Sequence, residues 1–464
     1  MEKLNFTEII RKKIKNKDYK YVILTFGCQL NENDSEKISG MVEEMGFFRT
    51  EKFEDADLVI FNTCCVRENA EERLFGKLGE IKKMKEEKNT IIAIGGCMMQ
   101  EKSMLEKIKK SYKYVDIVFG THTLQTLPED IYKVILKNEK VKEVWDIDGE
   151  IIEGLPIKRN DKYRASVTIM YGCNKFCSYC IVPYVRGRER SRNPEDILNE
   201  IKELAKNGYK EITLLGQNVN SYGKDKFKYC KKNVNSNIDN FAKLLDEVCK
   251  IEGIEKIKFM SPHPRDFTDD VIEAIKNNKK ITRMIHMPLQ SGNSKVLKEM
   301  NRGYTKEQFL ELVDKMKKRI PDIFLSTDII VGFPGETDDE FEDTLDVVRK
   351  VGFEQIFMFI YSKRDGTRAA IREDQISEED KHKRFDKLKE LYDYQVDIQN
   401  EKYVGTIQNI LVEGTSKNDN SKFTGRTDSN KVVIFEPSGK EKIGDIINVK
   451  IIENHKWFLS GEIV

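Results

Sequence analysis

The sequence predicts an α/β protein of three units: an N-terminal doubly wound parallel α/β domain, a central partial (β/α)6 barrel and a small C-terminal antiparallel β-barrel. Three observations predict this architecture. Strand-like and helical patterns alternate between residues 20 and 94, the alternation restarts near residue 165, and short β-rich runs follow one another after residue 400. With 464 residues, the chain is long enough for about three domains, each with its own core.

The N-terminal unit is predicted from three strands separated by charged helices. The strand signals lie at 21–26, 58–62 and 90–94, and the helical patterns at 33–45 and 66–85. Strands that alternate with helices favour a parallel sheet with helical crossovers. We expect this domain to cover residues 19–140, after an N-terminal extension over 1–18 and before a linker over 141–154.

The central unit is predicted from a second series of strands with helical patterns between them. These strand signals lie at 165–170, 211–215, 256–260, 283–288, 324–331 and 355–361. Six β/α units fit an open barrel better than a closed eightfold one. We expect this barrel to cover residues 155–395.

The C-terminal unit, expected at 396–464, follows a charged helix that ends near Asn400. Its strand signals lie at 406–413, 423–426, 431–435, 447–453 and 457–463. Five short strands suggest a small antiparallel barrel, a shape often used to bind nucleic acids. From Asn400 to Val464 the chain carries nine basic and nine acidic residues, so RNA binding there needs a face on which basic residues are concentrated, or aromatic residues.

Composition narrows the class of protein. The net charge is +1, so no global positive field attracts nucleic acid, and local patches must do so. One patch lies between Leu155 and Asp196, with nine basic and four acidic residues. The chain shows neither a signal-peptide pattern nor an apolar run long enough for a membrane span. We therefore expect a cytoplasmic protein without membrane contact, whose cysteines are metal ligands or catalytic groups rather than disulfides.

Three cysteines follow the first strand of the central unit within eight residues: Cys173, Cys177 and Cys180. Zinc usually requires four ligands and a second, distant cysteine pair, which this spacing does not supply. Three thiolates suit a four-iron cluster with one iron left open for another ligand. The alternative is three buried, inert thiols.

A second set, Cys28, Cys64 and Cys97, follows the three N-terminal strands. Parallel strands end along one edge of a sheet, where ligands gather, so we expect these thiols to converge on a second cluster with an open iron. The alternative is three small buried hydrophobic residues. Cys65 competes with Cys64 as the ligand, whereas Cys230 and Cys249 are expected to be structural.

Four motifs give the chain a resemblance to a known family. They are TFGCQLN at 25–31, NTCCVRENA at 62–70, CIVPYVRGRERSR at 180–192 and LGQNVNSYG at 215–223. With the Cys173–Cys180 motif and the terminal barrel, they make nearly the whole chain from about Lys20 resemble the methylthiotransferase family of radical S-adenosylmethionine enzymes. The fourth motif resembles the branch that acts on N6-dimethylallyladenosine in tRNA. Lys363 and Arg368 depart from the family pattern, which commonly has prolines there.

The resemblance implies an enzyme with two 4Fe–4S clusters and S-adenosylmethionine, and a C-terminal RNA-binding domain of the TRAM type. One cofactor molecule would methylate sulfur at the N-terminal cluster. Another would yield a 5′-deoxyadenosyl radical that takes hydrogen from C2 of adenosine 37, beside the anticodon, so that the methylthio group can be added there. The cofactor-binding residues implied are Tyr179, Gln217, Asn218, Gln290 and Ser291.

The expected partners are tRNA and an external electron donor of the flavodoxin or ferredoxin type, and the protein is expected to be a monomer. The residues expected to contact RNA are Arg186, Arg188, Arg190 and Arg192. Alternatives are a methylthiotransferase acting on threonylcarbamoyladenosine in tRNA or on a ribosomal protein, and an electron-transfer iron–sulfur protein with an RNA-binding module. Electron carriers generally bind every iron through cysteine, whereas both sets here stop at three.

Overall fold

A computed structural model describes residues 5–65, 68–142, 144, 151–231, 234 and 236–464. The start of the helix predicted at 66–85 and half of the linker predicted at 141–154 lie outside the described residues. Within the described part of the chain, none of the helices combines the length and apolar character that a membrane span requires.

The N-terminal domain is a parallel sheet with helices packed against it. Its strands are β1 (Lys20–Thr25), β2 (Phe48–Arg49), β3 (Leu58–Thr63), β4 (Ile91–Gly96), β5 (Ile117–Val118) and β6 (Val141–Lys142). Its helices are α1 (Phe6–Ile14), α2 (Gln29–Glu44), α3 (Glu68–Lys88), α4 (Lys102–Ser111) and α5 (Leu127–Tyr132). The strand order β2–β1–β3–β4–β5–β6 reverses direction between β1 and β3, the position at which such sheets bind ligands.

Helix α1 belongs to the core of this domain although we predicted only an extension there. Ile10 and Ile14 are buried with Met45 and Phe47, which lie at and just beyond the end of α2. Strand β6 likewise extends the sheet into the predicted linker. Strands β2, β5 and β6 were not predicted, because two residues are too few to show a period.

The central domain begins with β7 (Arg164–Thr168) and contains the predicted parallel strands. They continue as β10 (Glu211–Leu215), β11 (Lys256–Phe259), β12 (Met284–His286), β13 (Phe324–Val331) and β14 (Gln355–Ile360), and a small ladder joins β8 (Met170–Tyr171) to β9 (Arg190–Ser191). The helices are α6 (Val182–Val185), α7 (Pro194–Lys206), α8 (Phe241–Cys249), α9 (Asp269–Asn277), α10 (Ser294–Glu299), α11 (Lys306–Arg319), α12 (Asp338–Val351) and α13 (Glu378–Glu401).

The parallel strands form two triplets, β11–β10–β7 and β12–β13–β14. A parallel bridge between Ile257 and Ile281 joins the triplets, so they form one open barrel. The helix-facing residues of the strands share a single core with α7, α8, α9, α11 and α12. The structure therefore confirms the predicted partial barrel.

The C-terminal domain is a closed five-stranded barrel in the order β15–β16–β17–β19–β18. Its strands are β15 (Ile407–Thr415), β16 (Phe423–Arg426), β17 (Val432–Phe435), β18 (Ile446–Asn454) and β19 (Leu459–Ile463). The pair β17–β19 is parallel and the others are antiparallel. One parallel pair is unavoidable, since antiparallel directions cannot alternate around a ring of five strands.

The small barrel contacts the amino-terminal ends of the central strands. Arg164 at the start of β7 pairs with Glu413 (2.6 Å), and Lys256 at the start of β11 pairs with Asp428 (2.8 Å). Phe324, the first residue of β13, packs against the core of the small barrel. The carboxyl ends of the strands, where reacting groups lie in β/α folds, face away from this barrel.

Candidate active site

Cys173, Cys177 and Cys180 lie on one loop between β8 and α6, at the carboxyl end of β7. The N–H of Cys173 donates to the carbonyl of Gly187 (3.1 Å), and that of Cys180 donates to the carbonyl of Cys177 (3.0 Å). Burial, with the charges of the neighbouring cysteines, raises the pKa of the Cys173 and Cys180 thiols to about 12. Because the thiolate is the metal-binding form, these thiols need a cationic metal centre in order to ionise here.

A buried cation stands next to this loop. Nη1 of Arg302 lies 3.3 Å from Sγ of Cys177, and its Nη2 donates to the carbonyl of Pro288 (2.8 Å). Its Nε donates to the hydroxyl of Tyr304 (3.1 Å), which in turn donates to the carbonyl of Leu289 (2.9 Å). This network fixes a positive charge beside Sγ of Cys177. Arg302 lies in no motif that sequence reasoning singled out.

Three buried polar atoms near this loop lack protein partners. The side-chain oxygens of Gln217 and Asn218, after β10, and Nε2 of His263, after β11, have no hydrogen-bond partner among the described residues. Burial, with the charges of Arg302 and Lys175, lowers the pKa of His263, so the ring is neutral. Buried polar atoms normally have partners. These three fit a bound molecule with its own amino and hydroxyl groups, such as S-adenosylmethionine.

An acidic network holds Asn218 in place. Its Nδ2 donates to Glu189 (2.9 Å) and Asp266 (3.1 Å). Lys175, from the cysteine loop, and Lys224 (2.8 Å) form ion pairs with Asp266. Although burial opposes them, these lysines hold the pKa of Asp266 well below its usual range. Sequence reasoning missed Asp266, since no local pattern marks a carboxylate that acts through long-range contacts.

The other residues expected to bind the cofactor lie at the same end of the barrel. Tyr179 packs beside a cluster that includes Phe333 and Tyr361, and its hydroxyl lies 3.4 Å from Nη1 of Arg302. Gln290 has a φ of +74°, and its backbone pairs with β13.

Ser291 is enclosed between its loop and α12. It is fully buried, accepts a hydrogen bond from the N–H of Asn293 (3.3 Å) and lies 3.4 Å from the hydroxyl of Thr344. The backbone of Gly292 lies very close to α12: a Cβ on Gly292 would lie 2.5 Å from Cα of Thr344. The Ser291 hydroxyl thus serves the loop itself.

The second cysteine set lies at the carboxyl edge of the N-terminal sheet, after β1, β3 and β4. The Sγ atoms of Cys28 and Cys97 lie 3.7 and 3.8 Å from one atom, Oδ1 of Asn31. A Cβ on Gly27, which has a φ of +131°, would lie 3.0 Å from Sγ of Cys64. The three thiols are therefore brought together, and a glycine permits the approach.

Arg186 connects the two cysteine regions. It follows α6, yet its Nε lies 3.0 Å from Sγ of Cys97. Its Nη2 donates to Asn31 (2.9 Å), and its Nη1 pairs with Asp34 (2.7 Å). A hydrogen bond from Cys65 and the charge of Arg186 lower the pKa of the Cys97 thiol. Cys28 is the N-cap of α2, where the helix dipole favours a thiolate, but burial raises the pKa of the Cys28 thiol despite the nearby charge of Arg186.

The two cysteine loops pack directly against each other. Cys65 and Cys97 form a buried cluster with Ile181 and Val185, and Ile181 immediately follows Cys180. Thr121 adds a hydrogen bond to the carbonyl of Val185 (2.8 Å). Cys64 and Cys65 both lie at this edge: Cys64 faces Gly27 and Cys65 faces Cys97.

Among the described residues, no group of three or more His, Cys, Asp and Glu side chains is arranged to hold a metal ion. A single ion such as zinc requires its sulfur ligands about 2.3 Å from one centre. A four-iron cluster is larger, since each thiolate binds a different iron. Both cysteine sets offer three convergent thiols beside a buried arginine, which suits a larger centre.

Three of the four arginines expected to contact RNA are buried. Arg186, Arg190 and Arg192 are 4%, 6% and 7% exposed. Arg192 pairs with Glu153 (2.5 Å) and Glu200 (2.9 Å). Interior guanidinium groups with protein partners cannot serve as a phosphate-binding surface, so the prediction of RNA contact is corrected for these three. Charge spacing along the sequence does not show which arginines point inward.

Arg188, the fourth arginine, is exposed. Its guanidinium lies 4.6 Å from the ring centre of Phe176, within the cysteine loop. Phe176 in turn contacts Tyr184 edge to face, with ring centres 5.7 Å apart, and Tyr184 is 47% exposed. These three residues, the Arg188 patch, form a cationic and aromatic surface beside Cys173, Cys177 and Cys180.

Three family models match successive parts of the chain. They are the Uncharacterized protein family UPF0004 at 20–120, the Radical SAM superfamily at 167–348 and the TRAM domain at 401–464. Among solved structures, the radical S-adenosylmethionine methyltransferase TsrM from Kitasatospora setae matches with a TM-score of 0.54. The match has 14% sequence identity and covers 76% of this chain and 77% of that one, which shows a shared fold.

Curated relatives match almost the whole chain. A protein of Clostridium perfringens (strain SM101) is 52% identical over 446 residues, which are 96% of this chain and 97% of that protein. A protein of Clostridium botulinum (strain Hall) is 53% identical over 456 residues, which are 98% of this chain and 99% of that protein. Both are named tRNA-2-methylthio-N(6)-dimethylallyladenosine synthase.

Proposed function

The chain belongs to the family of tRNA-2-methylthio-N(6)-dimethylallyladenosine synthases, and from this membership we propose its reaction in residue terms. It is a radical S-adenosylmethionine enzyme that transfers a methylthio group to C2 of N6-dimethylallyladenosine in tRNA. It uses S-adenosylmethionine and a 4Fe–4S cluster. We further propose that the adenosine is position 37, beside the anticodon, and that the enzyme carries two clusters.

One observation carries the proposal of two clusters: Cys65 and Cys97 pack against Ile181 and Val185. The loop that would hold the second cluster thus lies beside the loop that would hold the first. Methylthiolation requires both centres to reach one adenine, since effective molarity falls when reacting atoms are misplaced. When bound, the two centres supply the radical that removes hydrogen from C2 and the sulfur that replaces it.

The chain's own residues hold and polarise these groups. Cys173, Cys177 and Cys180 would ligate the first cluster, with Arg302 stabilising the thiolate of Cys177 at 3.3 Å. Gln217, Asn218 and His263 would receive the polar groups of S-adenosylmethionine, because each has a buried polar atom without a partner among the described residues. Tyr179 and the backbone of Gln290 would border its adenine, with Ser291 shaping the loop.

The second cluster would be held by Cys28, Cys64 and Cys97. Two features of the chain favour thiolates there: the amino terminus of α2 at Cys28 and the guanidinium of Arg186, 3.0 Å from Cys97. Since Arg186 belongs to the central domain, it also fixes the distance between the two sites.

Substrate tRNA would contact the Arg188 patch. Its aromatic rings offer stacking surfaces for unpaired bases of the anticodon loop, and its arginine offers a phosphate contact. The C-terminal TRAM domain would bind a more distant part of the same tRNA. A flavodoxin or ferredoxin as the electron donor, a monomeric state and a cytoplasmic location remain predictions.

The test is anaerobic reconstitution with iron and sulfide, followed by incubation with S-adenosylmethionine, a reductant and prenylated tRNA. Nucleoside mass spectrometry should detect the 2-methylthio product, and eight irons per chain should be measured. Unprenylated tRNA and a threonylcarbamoyl-modified tRNA are the matched controls. Cofactor cleavage without a methylthio product on any of the three RNAs would contradict the proposal, and four irons per chain would contradict the second cluster.

A further inference from the structure

The inner face of the central barrel carries two phenylalanines whose side chains are partly exposed. Phe357 and Phe359, on β14, are 41% and 45% exposed. Side chains of a strand alternate between its two faces. Ile356 is buried in the helix-side core, and Met358 and Ile360 pack against it. The two phenylalanines therefore point to the opposite face of β14, toward the inside of the open barrel.

The pairing register gives their depth. Phe359 lies opposite Ile330 of β13, and Phe357 lies opposite Asp328. Ile330 packs against the same cluster as Tyr179, which belongs to the cysteine loop. Phe359 thus lies near the carboxyl end of β14, the end of the barrel at which the cofactor would bind. Phe357 lies two residues deeper along the same strand.

The surroundings of Phe357 are only partly polar. The ring of His286 meets it edge to face, with ring centres 5.7 Å apart, and Nε2 of His286 lies 3.3 Å from Asp328. At the amino-terminal end of the same strand, Lys431 of the small barrel pairs with Glu354 (2.9 Å). A group that reaches the phenylalanines therefore enters from the end where the cysteine loops lie.

Two large aromatic side chains, each more than two-fifths exposed on one concave face, indicate a site for an apolar ligand. We propose that Phe357 and Phe359 bind the dimethylallyl group of the substrate adenosine and thereby set the enzyme's preference for prenylated tRNA. This inference rests on the proposed function. The dimethylallyl group is a branched five-carbon chain without polar atoms, so its removal from water onto two aromatic rings is favourable.

The proposal is specific about substrate. A threonylcarbamoyl group at the same nitrogen carries a carboxylate and a hydroxyl, which an apolar wall cannot pair, and buried polar groups without partners are costly. An adenine without any group at that nitrogen would leave the wall uncovered. The phenylalanines should therefore discriminate among tRNAs without contacting the reacting C2.

The experiment compares anticodon stem-loops with and without the dimethylallyl group, using the reconstituted full-length enzyme under anaerobic conditions. Fluorescence anisotropy measures both dissociation constants for the wild type, Phe357→Ala and Phe359→Ala. Each substitution should lower the preference for the prenylated RNA about tenfold, and affinity for the unprenylated RNA should not change. Phe48→Ala is the matched control, because Phe48 is 59% exposed on β2 of the N-terminal domain.

Three outcomes would overturn the proposal: no preference in the wild type, an unchanged preference in both variants, or an equal loss of affinity for both RNAs. The last would mean that the rings stack on bases instead. Phe357→Leu and Phe359→Leu retain apolar bulk and should keep most of the preference, which provides the test if an alanine variant misfolds. Because this readout is binding, it is separate from methylthio product formation, whose absence would instead count against the proposed function.

Discussion

Nε of Arg186 lies 3.0 Å from Sγ of Cys97, although the two residues belong to different domains. The arginine follows the loop of one cysteine set, and the cysteine belongs to the other. Through Asn31 and Asp34 the same guanidinium also contacts α2, whose amino terminus carries Cys28. The buried side chain of Arg186 therefore has two effects: it holds the two cysteine sets in a fixed relative position, and its charge lowers the pKa of the Cys97 thiol.

Removing this guanidinium should destabilise the protein. Arg186→Leu leaves Asp34 without its cation in a buried setting, which costs about 3–5 kcal/mol. The double variant Arg186→Leu/Asp34→Leu should recover part of that loss. Denaturant unfolding of the wild type, the two single variants and the double variant measures the recovery. Lys318→Leu is the control, because its pair with Asp314 is largely exposed and worth less than about 1 kcal/mol. If Arg186→Leu costs no more than this control, the guanidinium does not hold the domains together.

The two cysteine sets should separate cofactor cleavage from sulfur insertion. Cys28→Ala, Cys64→Ala and Cys97→Ala should abolish the methylthio product yet keep reductive cleavage of S-adenosylmethionine, because the Cys173–Cys180 loop remains. Cys177→Ala should abolish both, and Cys249→Ala, at the buried last residue of α8, should affect neither. Chromatography of 5′-deoxyadenosine and mass spectrometry of the nucleosides give the two readouts. Loss of cleavage in the first group would mean that their role is misassigned.

Cys64 and Cys65 should not be equivalent. Cys64 faces Gly27 beside Cys28, whereas Cys65 contacts Cys97 in the cluster with Ile181. Cys65→Ala should therefore retain about eight irons and product formation, and Cys64→Ala should lose about four irons. Iron analysis with electron paramagnetic resonance distinguishes them, and the reverse pattern would assign Cys65 as the ligand.

Arg188→Ala should weaken tRNA binding and reduce its dependence on salt. If this exposed arginine contacts one phosphate, the slope of log K against log salt should become less steep by about 1. Lys383→Ala, on the outer helix α13, removes an exposed cation far along the chain from the cysteine loop and should leave the slope unchanged. A slope that does not respond to Arg188→Ala would remove the Arg188 patch from the RNA-binding surface.

The fold was largely predictable because its signals are local. Strands β10, β13 and β16 begin and end at the predicted residues. In β10 and β13, β-branched and apolar residues predominate, and this signal needs no tertiary context. The cysteines were predictable because parallel strands end at a common edge, which makes Cys28, Cys64 and Cys97 neighbours despite their separation in sequence. Arg302, Asp266 and the inward direction of Arg192 were not, because each depends on which distant group lies opposite in the folded chain.

Glu336, in the loop after β13, should make stability depend on pH. Burial raises its pKa to about 7, although Gly332 N–H (2.9 Å) and Arg384 (3.1 Å) donate hydrogen bonds to it. An unfolded glutamate has a pKa of about 4.3, so the folded state favours the protonated form. The stability that this form contributes is present below about pH 4.3 and is lost as the pH rises through about 7.

Replacing the titrating group should flatten this dependence. Glu336→Gln keeps the shape and the neutral state, so its free energy of unfolding should fall less between pH 5 and pH 8 than that of the wild type, by roughly 1–3 kcal/mol. Denaturant unfolding at the two pH values measures this difference, and Glu379→Gln, exposed at the start of α13, is the control. Equal pH dependence in the wild type and Glu336→Gln would mean that the ion pair with Arg384 keeps the carboxylate charged throughout, because its charge then never changes in this range.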